Sequence, residues 1–203
     1  MEKLTVRLLF IITLIFLFEG ETFSQQNYRL NQNKSSLLVK GTSNLHDWRM
    51  EVINIKSEAS LKIEDGSVSE LVHVEFNAPV EGLESEKRRM ERKAEKALHK
   101  KKHPLIKFWF DNKMELNLSE GNRMQLTGQL TVSGSTNMIK IPVEFNIDSD
   151  RQFRVNGTFS LEMTDFGIKP PEALFGTIKA DNEIKLEYDF VFVKSDEDLQ
   201  NVP

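Results

Sequence analysis

The sequence contains no cysteine. The chain therefore cannot carry a disulfide framework, a thiol nucleophile, a cysteine-based metal site or a lipid-modified N-terminal cysteine. It also lacks a long apolar run: the stretch at residues 8–18 is shorter than the ~20 residues that a membrane-spanning helix needs. The formal net charge of −4 is mild and by itself indicates no class of partner.

The N-terminal segment has the proportions of a secretory signal peptide. Lys3 and Arg7 precede the apolar run, and Thr22 and Ser24 supply small residues at the −3 and −1 positions of a cleavage site. We predict a signal peptide at 1–24, cut after Ser24, which would make the protein periplasmic or secreted. An uncleaved N-terminal anchor is the alternative. The remaining chain fits one domain at 25–195, followed by a flexible tail at 196–203.

Alternation of apolar and polar residues dominates the rest of the sequence and predicts half-buried strands. Turn-forming stretches at 64–67, 119–122, 133–137 and 148–151 separate the runs as hairpin connections would. Pro142 predicts an edge or a bulge in its strand, because proline lacks the ladder donor. A sandwich and a barrel both satisfy this pattern. We favour an all-β antiparallel barrel of seven or eight strands, because closure removes exposed edges. The inward sets begin at Ile53, Val72, Ile106, Met124, Ile139, Phe153 and Ile184, and the Ile139 set extends to Ile147.

One segment breaks the alternation and predicts an inserted α-helix at about 85–102. Ser85 is the expected N-cap and Pro104 the stop signal. An apolar stripe at helical spacing would let the helix cover an open end of the barrel. The members of this stripe are Met90, Ala94, Ala97 and Leu98.

The predicted helix is strongly basic, with a net charge of +7 over residues 87–102. One interpretation is an ordinary solvated face with local ion pairs. The other is an electropositive rim that attracts an anionic head group or, transiently, a membrane surface. We expect no nucleic-acid partner, because no aromatic residues are interleaved with the basic ones. His99 and His103 are four residues apart, but a metal site needs three or four ligands, so we predict no metal site.

The stretch "GTSNLHDWRM" at 41–50 places His46, Asp47 and Trp48 side by side. A catalytic set is one interpretation, but adjacent residues on a strand point to opposite faces, and no G-x-S-x-G motif surrounds Ser43. The other interpretation is a loop in which Asn44 and Asp47 bond the backbone and His46 bonds a carbonyl. Trp48 would then close one end of the core.

Several stretches, taken in order, resemble the YceI-like family of exported bacterial proteins. They are "SSLLVKGTSNLHDW", "KHPLIKFWF", "LTGQLTVSGSTNMIKIPVEF" and "TDFGI", and the resemblance extends over roughly 28–193. It implies an eight-stranded lipocalin-like barrel with an elongated apolar cavity that binds polyisoprenoids or other long amphiphilic lipids, without established catalytic residues. This sequence departs from the family at Met163, where a basic residue is common, and the "HDW" element is typical of only part of the family.

We therefore predict a binding protein, not an enzyme, that holds a long-chain lipid (a polyisoprenoid, an isoprenoid quinone or a fatty amide) for transport, storage or stress protection. No cofactor is expected beyond such a bound lipid or quinone, and a homodimer is left open. The predicted head-group contacts are His46, Arg88 and Arg89. Two alternatives remain: a filled barrel that acts as an interaction or stress-response module, and a hydrolase-like enzyme that uses His46 at the barrel mouth. The predicted ligand contacts are Trp48, Phe76, Leu98, Phe108, Phe110, Phe145, Phe159, Phe166 and Phe175.

Overall fold

A computed structural model describes residues 24–64, 67–116, 122–149, 151–173 and 175–195. The predicted signal peptide, apart from its last residue, lies outside these residues, as does the predicted tail at 196–203. That last residue, Ser24, begins the first strand and pairs with Ile63. Among the described residues, no helix has the length and apolar character needed to cross a bilayer.

Twelve strands and a ten-residue α-helix form most of the regular structure in the described part of the chain. Short 3-10 turns at Gln32–Lys34, Val80–Gly82 and Met163–Phe166 interrupt them. The elements are β1 (Ser24–Leu30), β2 (Ser36–Ser43), β3 (Trp48–Val52), β4 (Lys56–Glu64), β5 (Ser67–Pro79), β6 (Leu83–Glu84), α1 (Arg88–Ala97), β7 (Leu105–Glu115), β8 (Arg123–Val132), β9 (Ser135–Ser149), β10 (Gln152–Glu162), β11 (Glu172–Ala173) and β12 (Ile178–Lys194).

The sheet closes on itself as an eight-stranded antiparallel barrel. Its hydrogen-bonded order is β1-β4-β5-β7-β8-β9-β10-β12, and β12 pairs back with β1. After a kink in the chain, β2 continues β1, β4 continues β3 and β6 continues β5, so that each composite strand neighbours the next one along the chain. The predicted fold class is therefore confirmed. A barrel of this size has room for packed side chains or for one small ligand.

The connections between strands lie at the two ends of the barrel. The end that we call the mouth carries the loop at 43–48, the helical segment at 85–104, the turn at 133–134 and the segment at 163–177. The other end, which we call the closed end, carries the β4–β5 and β9–β10 connections. At the mouth, Ser133 and Gly134 have φ values of 51° and 85°, the left-handed pair that a two-residue type I′ hairpin requires.

Two kinks shift the inward-facing residues relative to the sequence-based prediction. Between β3 and β4, Asn54 adopts φ 58° and the Ile53 N–H donates to the Gly82 carbonyl at 2.9 Å. Val52 and Ile55 are the buried residues on either side of this kink, so the inward assignment of Ile53 was wrong. An extra residue in one strand at such an irregularity reverses the side-chain phase beyond it.

The second shift lies in β5, where the register changes between Leu71 and His73. Leu71 is 6% exposed and belongs to the core, whereas the predicted inward residue Val72 does not. At the closed end, Ile147 is 44% exposed, although its ladder partner Phe153 is buried. The sequence-based assignments of Val72 and Ile147 to the core were therefore also wrong.

The helix is shorter than predicted, because both of its flanks form other structures. Ser85 lies in a preceding turn, where its Oγ accepts the Lys87 N–H at 3.2 Å and its own N–H donates to Glu91 Oε1 at 3.1 Å. Lys87, rather than Ser85, occupies the N-cap position. His99 adopts φ 53°, which ends the helical geometry. The predicted apolar stripe does face the barrel core.

The β9–β10 ladder covers only the half of the barrel near the closed end. It ends at the pair Glu144–Asn156, whereas β9 pairs with β8 along the whole of residues 135–144. Pro142 therefore lies where β9 has no ladder to β10, as its missing N–H requires. The Tyr188 hydroxyl donates to the Pro142 carbonyl at 2.6 Å and bridges the start of this gap.

Candidate functional site

A cavity of about 960 Å³ occupies the interior of the barrel. This volume lies near the top of the ~300–1,000 Å³ range typical of ligand pockets. Small inward residues leave the space open, among them Ser57, Ala59 and Ala78, which face it from neighbouring strands. The barrel is therefore hollow rather than filled at this level, because the inward side chains do not meet across the axis.

Stacked aromatic rings fill the barrel at its closed end. Phe153 lies at the centre, with its ring centroid 4.9 Å from those of Phe145 and Phe192 and 5.0 Å from that of Tyr28. All four side chains are 3% exposed. Such ring pairs stabilise a fold by roughly 0.5–1.5 kcal/mol each beyond their area burial. We call these four residues the aromatic cluster, and they end the cavity on this side.

The cavity opens at the mouth, where its lining becomes polar and charged. His46, Lys87 and Arg89 line it there and are exposed. The Lys93 Nζ, also at this rim, donates to the Glu172 carbonyl at 2.8 Å and so joins α1 to the segment before β12. The predicted set of head-group contacts omitted Lys87 and Lys93. Their position in the sequence beside the apolar stripe of α1 could have indicated that they lie at the mouth.

Deep in the cavity, the polar groups of the lining are already bonded within the protein. The Ser57 hydroxyl donates to the Glu75 carbonyl at 2.7 Å, and the Tyr188 hydroxyl donates to the Pro142 carbonyl at 2.6 Å. The Tyr188 phenol is neutral at physiological pH, as an ordinary tyrosine is, and burial raises its pKa further. A guest in this part of the cavity meets hydrocarbon walls and would find few partners for polar atoms of its own.

Trp48 closes part of the wall near the mouth by lying against a glycine. A Cβ atom on Gly41 would approach the Trp48 Cζ2 atom to 2.3 Å, so no side chain fits beneath the indole. The indole Nε1–H donates to the Thr42 carbonyl at 3.0 Å. Trp48 lines the cavity, in agreement with its predicted position at one end of the core.

The loop that contains His46 is organised by backbone hydrogen bonds. The Ser43 hydroxyl donates to the His46 carbonyl at 2.7 Å and accepts the His46 N–H at 3.1 Å. The His46 Nδ1 lies 2.9 Å from the Asp47 carbonyl oxygen. This ring nitrogen thus contacts a backbone carbonyl, whereas a carboxylate orients the histidine of a Ser-His-Asp set.

A second loop holds this one in place. Asn44 donates through Nδ2 to the Thr177 carbonyl at 2.8 Å and accepts the Lys179 N–H at 2.9 Å. The predicted hydrogen bonding of Asn44 to the backbone is thus confirmed. The Ser43 hydroxyl makes the other side-chain hydrogen bonds to the backbone of this loop. The two loops form one connected edge of the mouth.

Most of the predicted contact residues lie around this one cavity, and two do not. Phe110 is buried in the core, 5% exposed, without lining the cavity, and Arg88 is exposed and does not line it either. The predicted residues that line the cavity are His46, Trp48, Phe76, Arg89, Leu98, Phe108, Phe145, Phe159, Phe166 and Phe175. Inward residues that the candidate set omitted include Phe153, Tyr188, Phe190 and Phe192, which the same alternation in β10 and β12 indicates.

The two histidines after α1 contact the β8–β9 turn. The His99 Nδ1 lies 2.7 Å from the Ser133 Oγ, and the His103 ring packs so closely on Gly134 that a Cβ there would lie 2.5 Å from its Cε1 atom. Within the described ranges, no group of three or more His, Cys, Asp or Glu side chains could hold a metal ion. These histidines instead connect the segment after the helix to the barrel.

Comparison with known proteins gives one family match and two structural similarities. The family model described as "YceI-like domain" matches residues 28–192. BcnA of Burkholderia cenocepacia superposes with a TM-score of 0.61 at 12% identity, with 80% of this chain and 98% of that one covered. A polyisoprenoid binding domain from Saccharophagus degradans, implicated in plant cell wall breakdown, superposes with a TM-score of 0.58 at 8% identity, covering 83% and 98%. None of the curated protein sequences matches this chain.

Proposed function

Because this chain belongs to the YceI-like domain family, we propose that it is an exported binding protein that holds one long-chain amphiphilic lipid in its barrel. The tail occupies the cavity and the head group remains at the mouth. The observation that carries this proposal is a single deep apolar cavity, closed by aromatic rings at one end and rimmed by charged residues at the other.

The character of the lining favours a hydrocarbon guest over a polar one. Because the deep hydroxyls of Ser57 and Tyr188 already have backbone acceptors, a sugar or peptide there would leave its own polar atoms unpaired. Burial of an alkyl or prenyl chain contributes ~0.8 kcal/mol per CH2, so about a dozen buried carbons give a large gross gain. Losses of ligand freedom on binding offset part of it.

The rim supports an amphiphile with an anionic or strongly polar head group. Lys87, Arg89 and Lys93 line the mouth and contribute three positive charges, and His46 adds a ring donor or acceptor. Glu162 and Glu172 line it as well, so the field is mixed rather than purely positive. Polyprenyl phosphates and isoprenoid quinones both fit this description. The structural similarity to a polyisoprenoid binding domain is consistent with either class.

Export remains part of the proposal and rests on the sequence of residues 1–24 alone. Edman or mass-spectrometric sequencing of protein recovered from a periplasmic or culture-medium fraction tests it. A mature N-terminus at Gln25 is expected. Retention of Met1 in membrane-bound protein would contradict cleavage and support the anchor alternative.

Native mass spectrometry of the freshly purified protein, followed by solvent extraction, tests lipid binding. We expect one bound molecule of several hundred daltons with a prenyl or acyl chain. Ile141→Trp places a large side chain in the cavity and should abolish occupancy, whereas Lys140→Trp, on the outer face of the same strand, is the matched control. Protein that is always empty, and that rejects added isoprenoid quinone and polyprenyl phosphate, would contradict the proposal.

A further inference from the structure

We infer that the mouth of the barrel docks on an anionic lipid bilayer, with Leu45 and Phe175 as two apolar tips that insert between the head groups. Leu45 is 64% exposed, and Phe175 is fully exposed. Large apolar side chains presented singly to water are common, but these two lie on loops that border the opening of an apolar cavity. The inference rests on the proposed function, because a water-insoluble cargo has to be exchanged with a lipid phase.

The two tips belong to one rigid edge. Asn44, the residue before Leu45, bonds Thr177 at the end of the loop that carries Phe175 and Lys179 at the start of β12, and its own N–H donates to the Lys179 carbonyl at 3.2 Å. Three hydrogen bonds therefore fix the spacing of the two loops. Such pre-organisation lowers the entropy cost of inserting both tips together.

The backbone at Phe175 projects its ring away from the protein. Phe175 adopts φ 58° and the next residue, Gly176, adopts φ 87°. A non-glycine residue in the left-handed region carries a conformational cost, which suggests that exposure of the ring serves a purpose at this position. The ring could otherwise have packed into the adjacent apolar cavity, whose rim it already lines.

The basic helix α1 lies beside the same opening, and although Glu162 and Glu172 also line the mouth, its excess of positive charge indicates which surface the tips would enter. Segment 87–102 carries a net charge of +7, and its exposed residues Arg88 and Arg92 form no ion pair with any described residue. The Lys93–Glu172 hydrogen bond holds α1 beside the Phe175 loop. Apolar tips flanked by unpaired cations match a bilayer that contains anionic lipids, where each Lys or Arg near the surface increases binding about fivefold.

Co-sedimentation with vesicles tests this inference. The purified protein is mixed with vesicles of phosphatidylcholine alone or of phosphatidylcholine with phosphatidylglycerol, neither containing a prenyl lipid. We expect binding to the anionic vesicles only, reduced about tenfold by Leu45→Ser or Phe175→Ser and about fivefold by Arg88→Gln or Arg92→Gln. The matched controls at the closed end, Ile147→Ser and Lys113→Gln, should bind as the parent protein does.

The outcomes separate this inference from the proposed function. If protein that carries a lipid by native mass spectrometry sediments with neither kind of vesicle, docking is overturned while the carrier function stands. If the closed-end variants lose as much binding as the mouth variants, the assigned surface is wrong. Anionic-vesicle binding that depends on Leu45 and Phe175 supports docking, even in protein that never takes up a prenyl lipid and so fails as a carrier.

Discussion

The two ends of this barrel are built from the same alternating strands and yet are packed in opposite ways. At the closed end, Phe153 has aromatic neighbours on three sides with centroids about 5 Å away. Toward the mouth, Phe159 of the same strand has one ring neighbour, Tyr188, at 6.3 Å and otherwise borders the cavity. One end therefore contributes mainly to stability, and the other leaves room for a ligand.

Among the substitutions that test the difference in packing between the two ends, Phe153→Ala should have the largest effect. Phe153 is 3% exposed and packs against three other aromatic rings, and truncating a ring so extensively packed costs about 3–5 kcal/mol in the free energy of unfolding. Urea denaturation followed by circular dichroism measures the change. Ile147→Ala, exposed at the same end, should cost far less. A loss below ~1 kcal/mol for Phe153→Ala would mean that the aromatic cluster does not carry the stability assigned to it.

Phe159→Ala provides the matched contrast, six residues farther along β10. Because this ring already borders empty space, its removal loses transfer free energy but creates no enclosed void, so we expect a cost of about 1–2 kcal/mol. Affinity for an added isoprenoid quinone, measured by tryptophan fluorescence quenching, should fall about fivefold through the lost contact. Equal destabilisation by the two Phe→Ala substitutions would contradict the difference between the two ends.

Much of this contrast could not be predicted from the sequence. Alternation indicates which residues face inward, but it does not indicate their height along the axis or whether residues opposite them are large. Phe110 and Phe108 are equivalent by that pattern, yet only Phe108 lines the cavity. The volume depends on which small residues meet across the barrel, and on long-range pairings such as β1–β12 that no local signal specifies.

The sequence-based prediction also misplaced the ends of secondary-structure elements where a local hydrogen bond competes with the periodic pattern. Ser85 is a good N-cap by type, but its hydroxyl instead organises the turn before α1. The kink at Asn54 and the bulge beside Leu71 each shift the inward phase, and neither residue has a distinctive sequence signature. In contrast, the eight-stranded closure and the covering helix follow from the strand count, the short connections and the single basic insertion.

A smaller effect is expected for Tyr188→Phe, which acts on the gap between β9 and β10. The variant loses the part-buried hydrogen bond to the Pro142 carbonyl, a cost of about 1 kcal/mol. Hydrogen exchange of amides in residues 139–143 should increase, while exchange around Phe153 should not. Unchanged hydrogen exchange both at residues 139–143 and around Phe153 would show that the Tyr188 hydroxyl does not stabilise β9 where it lacks a ladder to β10.

Burial raises the pKa of Tyr188 above that of an unfolded tyrosine, near 10, because the phenolate is poorly solvated in the barrel. Its contribution to stability is therefore fully present below pH ~10 and is lost as the pH rises further. Tyr188→Phe should remove this part of the alkaline decline in the melting temperature. An identical alkaline decline in the melting temperature of the parent protein and the variant would show that other groups cause it.

The smallest effect is expected on the outer surface, at the Lys40–Glu187 pair between β2 and β12. Hydrogen bonding to Lys40 holds the pKa of Glu187 below its usual value, so the pair contributes at neutral pH and is lost as the pH falls through the acidic range. Both side chains are about one-third exposed, and such pairs are weak. Glu187→Gln should thus barely change the melting temperature or the ligand affinity. A large loss of either would show that the outer surface affects the cavity.

A crystal structure of the protein grown with an isoprenoid quinone would test the central claim, that the barrel is hollow toward its mouth and holds a lipid chain there. We predict continuous density for one prenyl chain along the barrel axis, with its far end against Phe153 and its head group among Lys87, Arg89 and Lys93. Density for the quinone only on the outer surface, or a lumen closed by inward side chains in contact across the axis, would contradict it.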